Sequence, residues 1–202
     1  MKKTFTEKYL EETSKVIKNI DKKKIENLVS KILEIKNKSG RIFFLGVGGS
    51  AGNTSHAVND FRKILNIECY SPTDNVSEIT ANTNDNGWDS IFINFLKVSR
   101  LTKNDLLFIF SVGGGNEEFN VSTNLIKAIE YAKKQKTSVV GIVGKKEGYT
   151  FKNADIAIFI PNINNSRITP HSEEAQGIVW HLVVSHPKLK PNKTKWESLR
   201  NK

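Results

Sequence analysis

One stretch limits what this chain can fold into: Arg41 to Leu65, reading Arg-Ile-Phe-Phe-Leu-Gly-Val-Gly-Gly-Ser-Ala-Gly-Asn-Thr-Ser-His-Ala-Val-Asn-Asp-Phe-Arg-Lys-Ile-Leu. Ile42 to Leu45 form an unbroken apolar run, the pattern of a strand buried on both faces. Gly46, Gly48 and Gly49 allow a sharp turn and a close approach of backbone to ligand. Ser50 stands where a helix N-cap is expected, and Ala57, Val58, Phe61, Ile64 and Leu65 give the helix one apolar face. Strand, glycine turn and helix N-terminus in series make an anion site, because free N–H groups and the helix dipole converge there. His56 and Asp60 are four residues apart on that helix, so both point to one side, expected to be the side of the ligand. A phosphate cradle beside an imidazole–carboxylate pair suggests sugar-phosphate chemistry.

Elsewhere strands and helices alternate. Phe5, Tyr9, Val16 and Ile20 recur at near-helical spacing between Thr4 and Ile20. Asp21 can cap a second helix with Ile25, Leu28, Val29, Ile32 and Leu33 on its apolar face, and Gly40 ends it. This pair needs a surface to cover, either its own sheet or a partner subunit. Strands are predicted at Ile67 to Tyr70, Leu106 to Phe110, Ser138 to Val143 and Asp155 to Ile160. Helices are predicted at Val76 to Asn82, Trp88 to Val98, Ser122 to Lys134 and Glu173 to Val184, with a turn-rich loop from Asn82 to Gly87. Past His186 the chain is polar and Pro-punctuated, the composition of a mobile tail. The alternation predicts an α/β fold whose mostly parallel sheet is covered on both faces, with ligands at the carboxyl ends of its strands. No internal repeat or domain linker interrupts it.

The 202 residues suit one domain. The formal net charge of +10 is concentrated at the ends: residues 1–38 hold 11 Lys against six acids, residues 187–202 hold six Lys/Arg against one, and the remainder is balanced at 14 each. A nucleic-acid protein carries its basic patch on its binding face, so a neutral middle argues against that class. Cys69 is the single cysteine, which excludes an intrachain disulfide and fits a reducing cytosol. No apolar h-region follows Met1-Lys2-Lys3, and no apolar run approaches the ~18 residues of a membrane span, so a cytoplasmic protein is expected.

A second glycine loop, Ser111-Val112-Gly113-Gly114-Gly115-Asn116, follows the predicted strand Leu106 to Phe110. Two such loops on neighbouring strands would clamp one small anion. Neither has the Gly-Lys-Ser/Thr ending of a nucleotide P-loop, and the first lacks the full dinucleotide glycine spacing, so no nucleotide cofactor is expected.

On these residues the chain resembles the sugar isomerase (SIS) domain family, and within it the phosphoheptose isomerases, over nearly its whole length. The most specific piece is Gly46-Val47-Gly48-Gly49-Ser50 followed by His56 and an acid at position 60. Asn84-Asp85 ahead of Trp88 matches the family's substrate-contacting pair, and Ser111 to Asn116 corresponds to its serine-rich phosphate loop. Ser122, two residues before Asn124, matches a family serine, which leaves Asn116 to Val121 as an insertion. Glu173-Glu174 stand where the family has Gln-Glu, and His181 matches its catalytic histidine. The resemblance implies an N-terminal helix pair (1–40), a three-layer αβα SIS domain (41–186), a basic tail (187–202) and a homotetramer with sites near subunit interfaces.

It also implies interconversion of sedoheptulose 7-phosphate and D-glycero-D-manno-heptose 7-phosphate through an enediolate. Asp60 and His181 would move the protons. Gly48, Gly49, Ser50, Asn84, Asp85, Ser111, Gly113, Gly114, Gly115, Asn116, Ser122 and Glu173 would contact substrate, and His56, Asp60, Glu173 and His181 match a zinc site. On the closing helix Ile178, Val179, Leu182 and Val183 are read as core. Two departures stand out: Asp60 is one methylene shorter than the family's Glu, and Glu173 adds a charge in place of Gln. They also fit a second reading, a non-catalytic sugar-phosphate-binding SIS module acting as sensor or assembly subunit.

Overall fold

A computed structural model describes residues 2–199. Met1 and residues 200–202, the outer ends of the expected helical segment and tail, lie outside the described residues. Five parallel strands form one sheet in the order β2-β1-β3-β4-β5: β1 Ile42–Leu45, β2 Cys69–Tyr70, β3 Leu106–Ser111, β4 Ser138–Val143 and β5 Ile156–Phe159. Successive strand residues point to opposite faces, and both faces are buried. Ile42, Phe44, Phe108, Phe110 and Ile142 join the core beneath α2 (Lys22–Asn37), α3 (Gly49–Leu65) and α8 (Ile168–Val184). Phe43, Leu45, Leu107, Ile109 and Val139 join the core beneath α5 (Ile91–Val98) and α6 (Thr123–Lys134). This is the three-layer αβα arrangement that the alternating pattern requires.

The helix pair divides its labour. α2 covers its own subunit, burying Ile25, Leu28, Val29, Ile32 and Ile35 against sheet and α8. α1 (Phe5–Lys18) touches the start of α8, where Glu12 accepts two hydrogen bonds from Arg167 at 2.8 and 2.9 Å. Arg167 and Asn164 hold the Glu12 carboxyl well below the usual carboxylate range. Much of α1 is unused: Phe5 and Leu10 remain exposed.

Several boundaries differ from expectation. α4 runs from Val76 to Asn86, through the predicted loop, because Asn82 bonds back to the Glu78 carbonyl and the helix stops only at Gly87, whose φ is 81°. Asn84 and Asp85 therefore sit on a helix. The residues after His186 are tied down as far as Asn192: Leu189 is buried, its carbonyl accepts from Lys36, and Asn192 N–H donates to Ile64. On α8, Val179 and Val183 are core as expected, but Ile178 and Leu182 are 38% and 43% exposed. Helical periodicity marks an apolar residue without saying whether its cover lies in the same subunit.

At the amino ends of β1 and β3 the sheet is locked by a buried ion pair. Arg41 donates to both Asp105 oxygens, at 3.1 and 2.8 Å, and to the carbonyls of Ser99 and Arg100. Asp105 also accepts from the N–H groups of Arg41 and Thr102. Burial pushes the Asp105 carboxyl up, but these donors outweigh it and the net displacement is downward. Asp105→Ala strands the guanidinium and is expected to cost about 3 kcal/mol, seen as a lower urea midpoint at unchanged slope. Because the folded-state pKa is depressed, the stabilisation is complete above the unfolded carboxyl value of ~3.9 and fades as pH falls below it. An unchanged midpoint in the variant would remove the lock.

Candidate functional site

Both glycine loops lie where the alternation places them, at the carboxyl ends of adjacent strands β1 and β3. They do different things. Gly48 is the N-cap of α3 with φ 64° and ψ −130°, a conformation that suits glycine, so Ser50 is not the cap. Ser50 is buried in the second helical position, where its Oγ accepts from Gln176 at 3.1 Å. Gln176, fully buried, accepts in turn from Asn53, which also donates to the Glu173 carbonyl. This polar seam clamps α8 to α3 and presses Glu173 against the first loop: a Cβ at Gly49 would collide with both Glu173 carboxylate oxygens. The anion at the N-terminus of α3 is thus the chain's own Glu173, and the dipole there is already answered. Gln176 was not singled out from the sequence. Its signal is a polar residue inside the buried stripe Ser172, Ala175, Gln176, Val179, Trp180, Val183.

The second loop is built to be open. Ser111 Oγ accepts from Gly114 N–H at 2.9 Å, while the carbonyls of Gly114 and Gly115 accept from Thr150 and Tyr149 on α7 (Tyr149–Asn153). Gly114 and Gly115 have φ of 75° and 87°, in the left-handed range that favours glycine. The N–H groups of Gly113 and Gly115 find no partner among the described residues. Asn116 to Val121 form a small hairpin closed by an antiparallel bridge, and Asn116 Oδ1 accepts from Phe119 N–H. Ser122 precedes α6 in a left-handed conformation and makes no side-chain cap. Asn84 and Asp85 are exposed on the last turn of α4, with Asn84 Nδ2 donating to Asp85 at 2.7 Å, and among the described residues no hydrogen bond joins either to a glycine loop.

The titratable cluster lies elsewhere. His56 and Asp60 on α3 meet His181 on α8: Asp60 Oδ2 is 3.9 Å from His56 Nε2 and 3.8 Å from His181 Nε2. One ligand atom from each of the three lies within 4.8 Å of the others. Glu173 belongs to the first loop and is not part of this group. His181 Nδ1 lies 2.8 Å from the Gly177 carbonyl, which can only accept, so Nδ1 donates there and Nε2 is the nitrogen that faces Asp60. Two imidazoles and a carboxylate with one position left open fit a four-coordinate divalent ion. Buried Trp180 packs against both histidines, with ring centroids 3.5 Å from His181 and 4.6 Å from His56.

Those contacts give the metal site a reporter. Cobalt(II), which quenches indole emission at short range, is expected to quench the Trp180 emission of the wild type, with no such response in His181→Gln or Trp180→Phe. Equal quenching in wild type and His181→Gln would show that the ion binds elsewhere.

The cluster does not share the loops' edge of the sheet. Asp60 is 11 residues beyond Gly49 on α3, so a helical rise puts it ~16 Å down the helix from the glycine turn. The His56 and His181 side chains are 57% and 53% exposed, on the face of the α3–α8 pair turned from the sheet. The expectation that His56 and Asp60 face the ligand of their own turn is therefore not met. A side of a helix was inferred correctly; its height along the helix was not.

Residues 5–144 match the family described as SIS domain. The chain belongs to the SIS domain family. Among relatives, it is 26% identical over 166 residues to a phosphoheptose isomerase of Aneurinibacillus thermoaerophilus, covering 80% of this chain and 78% of that protein. It is 32% identical over 164 residues to a phosphoheptose isomerase of Buchnera aphidicola, covering 76% and 80%. Among solved structures, a phosphoheptose isomerase from Francisella tularensis superposes with a TM-score of 0.78 at 20% identity, over 93% of this chain and 99% of that one. This SIS chain thus shares the fold of that structure over 93% of its length. Among its described residues no helix is long and apolar enough to cross a membrane.

Proposed function

We propose that this SIS protein interconverts the ketose and aldose forms of a seven-carbon sugar phosphate, sedoheptulose 7-phosphate and D-glycero-D-manno-heptose 7-phosphate. Family membership and relatives named phosphoheptose isomerase make the chain an isomerase of sugar phosphates. The observation that carries the chemistry is the approach of Asp60 to His181 across two helices, at 3.8 Å.

Isomerisation removes a proton from the carbon beside the carbonyl and returns it to the neighbouring carbon through an enediolate. Asp60, a largely buried carboxylate with an imidazole on either side, is the base at carbon. His181, its tautomer set by Gly177, exchanges the proton between the two substrate oxygens through Nε2. With a zinc ion bound, His56, Asp60 and His181 would hold it, the ion would polarise the carbonyl and stabilise developing oxyanion charge, and His181 Nε2 would serve as a ligand in place of the proton carrier. The second glycine loop takes the phosphate through its unspent N–H groups, and Glu173 at the first loop accepts hydrogen bonds from sugar hydroxyls.

Asp60 stands ~16 Å along α3 from the first glycine turn, which shares the carboxyl edge of the sheet with the phosphate loop, a longer span than the backbone of a heptose phosphate. The active form is therefore a homo-oligomer, a tetramer by family resemblance, in which one copy's loops lie over the α3–α8 face of another. Exposed Ile178 and Leu182 beside His181 give that face its apolar contact, and Phe5 and Leu10 on α1 offer another. Buried, unpaired Cys69 suits a reducing cytosol.

The test is turnover of five-, six- and seven-carbon sugar phosphates by the purified protein, with deuterium exchange at the carbon next to the carbonyl followed by NMR. Exchange on the seven-carbon substrate supports the reading. Binding without exchange across the whole panel would leave a sugar-phosphate sensor.

A further inference from the structure

Two cavities open beyond the carboxyl end of β4, and Lys145 lines both. The larger, about 390 Å³, is walled by Phe159, Asn162 and Ile168, and Lys146 lies there with its ammonium 4.8 Å from the Phe159 ring. The smaller, about 210 Å³, lies against the second glycine loop, lined by Gly113, Gly115, Asn116, Phe119 and Lys145. β3 and β4 are hydrogen-bonded neighbours paired up to Ser111 and Val143, so the glycine loop and Lys145 leave the sheet side by side.

The loop's chemistry leaves a deficit that Lys145 can fill. Its Ser111 hydroxyl accepts from Gly114 N–H and keeps its own O–H to donate, so all of the loop's donors, hydroxyl and backbone N–H alike, are neutral. The first turn of α6, which follows the hairpin, holds one more unspent donor, because Asn124 Nδ2 is buried without a partner. Neutral donors orient a phosphate but do little to offset its charge of roughly −2. Glu147 lines the same small cavity and would repel a dianion. Lys145 makes no ion pair among the described residues and is exposed, so its ammonium is free to meet an incoming anion.

We propose that Lys145 is the anchoring cation for the substrate's phosphate, reaching from the end of β4 to a phosphate monoester seated on the Gly113–Gly115 loop. This deepens the proposed function and rests on it. Lys145 touches the phosphate and not the reacting carbons, so it governs binding and leaves the chemical step to Asp60 and His181. The neighbouring Lys146, stacked on Phe159, takes no part.

Calorimetry on the full chain, with sedoheptulose 7-phosphate and separately with inorganic phosphate, tests this in wild type, Lys145→Ala, Lys146→Ala and Gly113→Asp. Loss of a charge-assisted contact should weaken both ligands about 10- to 100-fold in Lys145→Ala. The same variant should raise KM with kcat nearly unchanged, and Lys146→Ala should match wild type. Wild-type affinity in Lys145→Ala, with binding abolished in Gly113→Asp, would overturn the lysine's role and leave the phosphate loop standing. A wild type that binds neither ligand would overturn the loop and the lysine together.

Discussion

Replacing Asp60 by Asn, or His181 by Gln, is expected to lower turnover by about 10²–10⁴-fold while sugar-phosphate affinity changes little. Asp60→Asn keeps the shape of its side chain and His181→Gln puts a neutral amide in place of the ring, and each removes the capacity to exchange a proton. Neither residue contributes to the Ser50–Gln176–Asn53 seam or to the loop contacts with Thr150 and Tyr149, so the binding elements remain in place. Asp60→Glu is the discriminating variant. In a site re-spaced around the shorter acid, the added methylene carries the carboxylate past its proton and turnover falls. In a site that has lost its activity, the longer acid restores exchange. Wild-type rates of deuterium exchange in both Asp60→Asn and His181→Gln would remove the pair from the chemistry.

What the sequence revealed follows from where each residue's partners lie. β1, β3 and β4 were readable because their side chains are buried on both faces, which demands apolar runs such as Ile42 to Leu45 and Leu106 to Phe110. The extent of α4 was not readable, because Asn82, Thr83, Asn84 and Asp85 are turn formers and their helicity rests on a side-chain bond to Glu78 and a stop at Gly87. Spacing placed His56 and Asp60 on one side of α3, and the resemblance named His181 as their companion. Spacing could not show that Glu173, eight residues before His181, would turn to the first glycine loop instead of the cluster. That outcome depends on Gln176 and Asn53, two polar residues whose roles exist only once α3 and α8 are side by side.

The assembly makes a prediction in which two dead proteins yield a live one. Gly113→Asp should abolish phosphate binding without disturbing the fold, because a Cβ at Gly113 meets nothing within 4 Å. Its new carboxylate stands in the loop that must receive an anion. Asp60→Asn retains the loop and loses the base. If each site takes its loop from one copy and its proton-transfer pair from another, mixed oligomers contain sites in which both halves are wild type. Random mixing at equal amounts gives such sites at roughly one in four, so about a quarter of wild-type turnover should return. The measurement is turnover of hetero-oligomers co-expressed with two different affinity tags and purified through both, so that every molecule assayed contains both variants. Activity no greater than that of the separate parents would place loop and pair of each working site in the same subunit. The α3–α8 face would then need another explanation for its exposed Ile178, Leu182 and histidines.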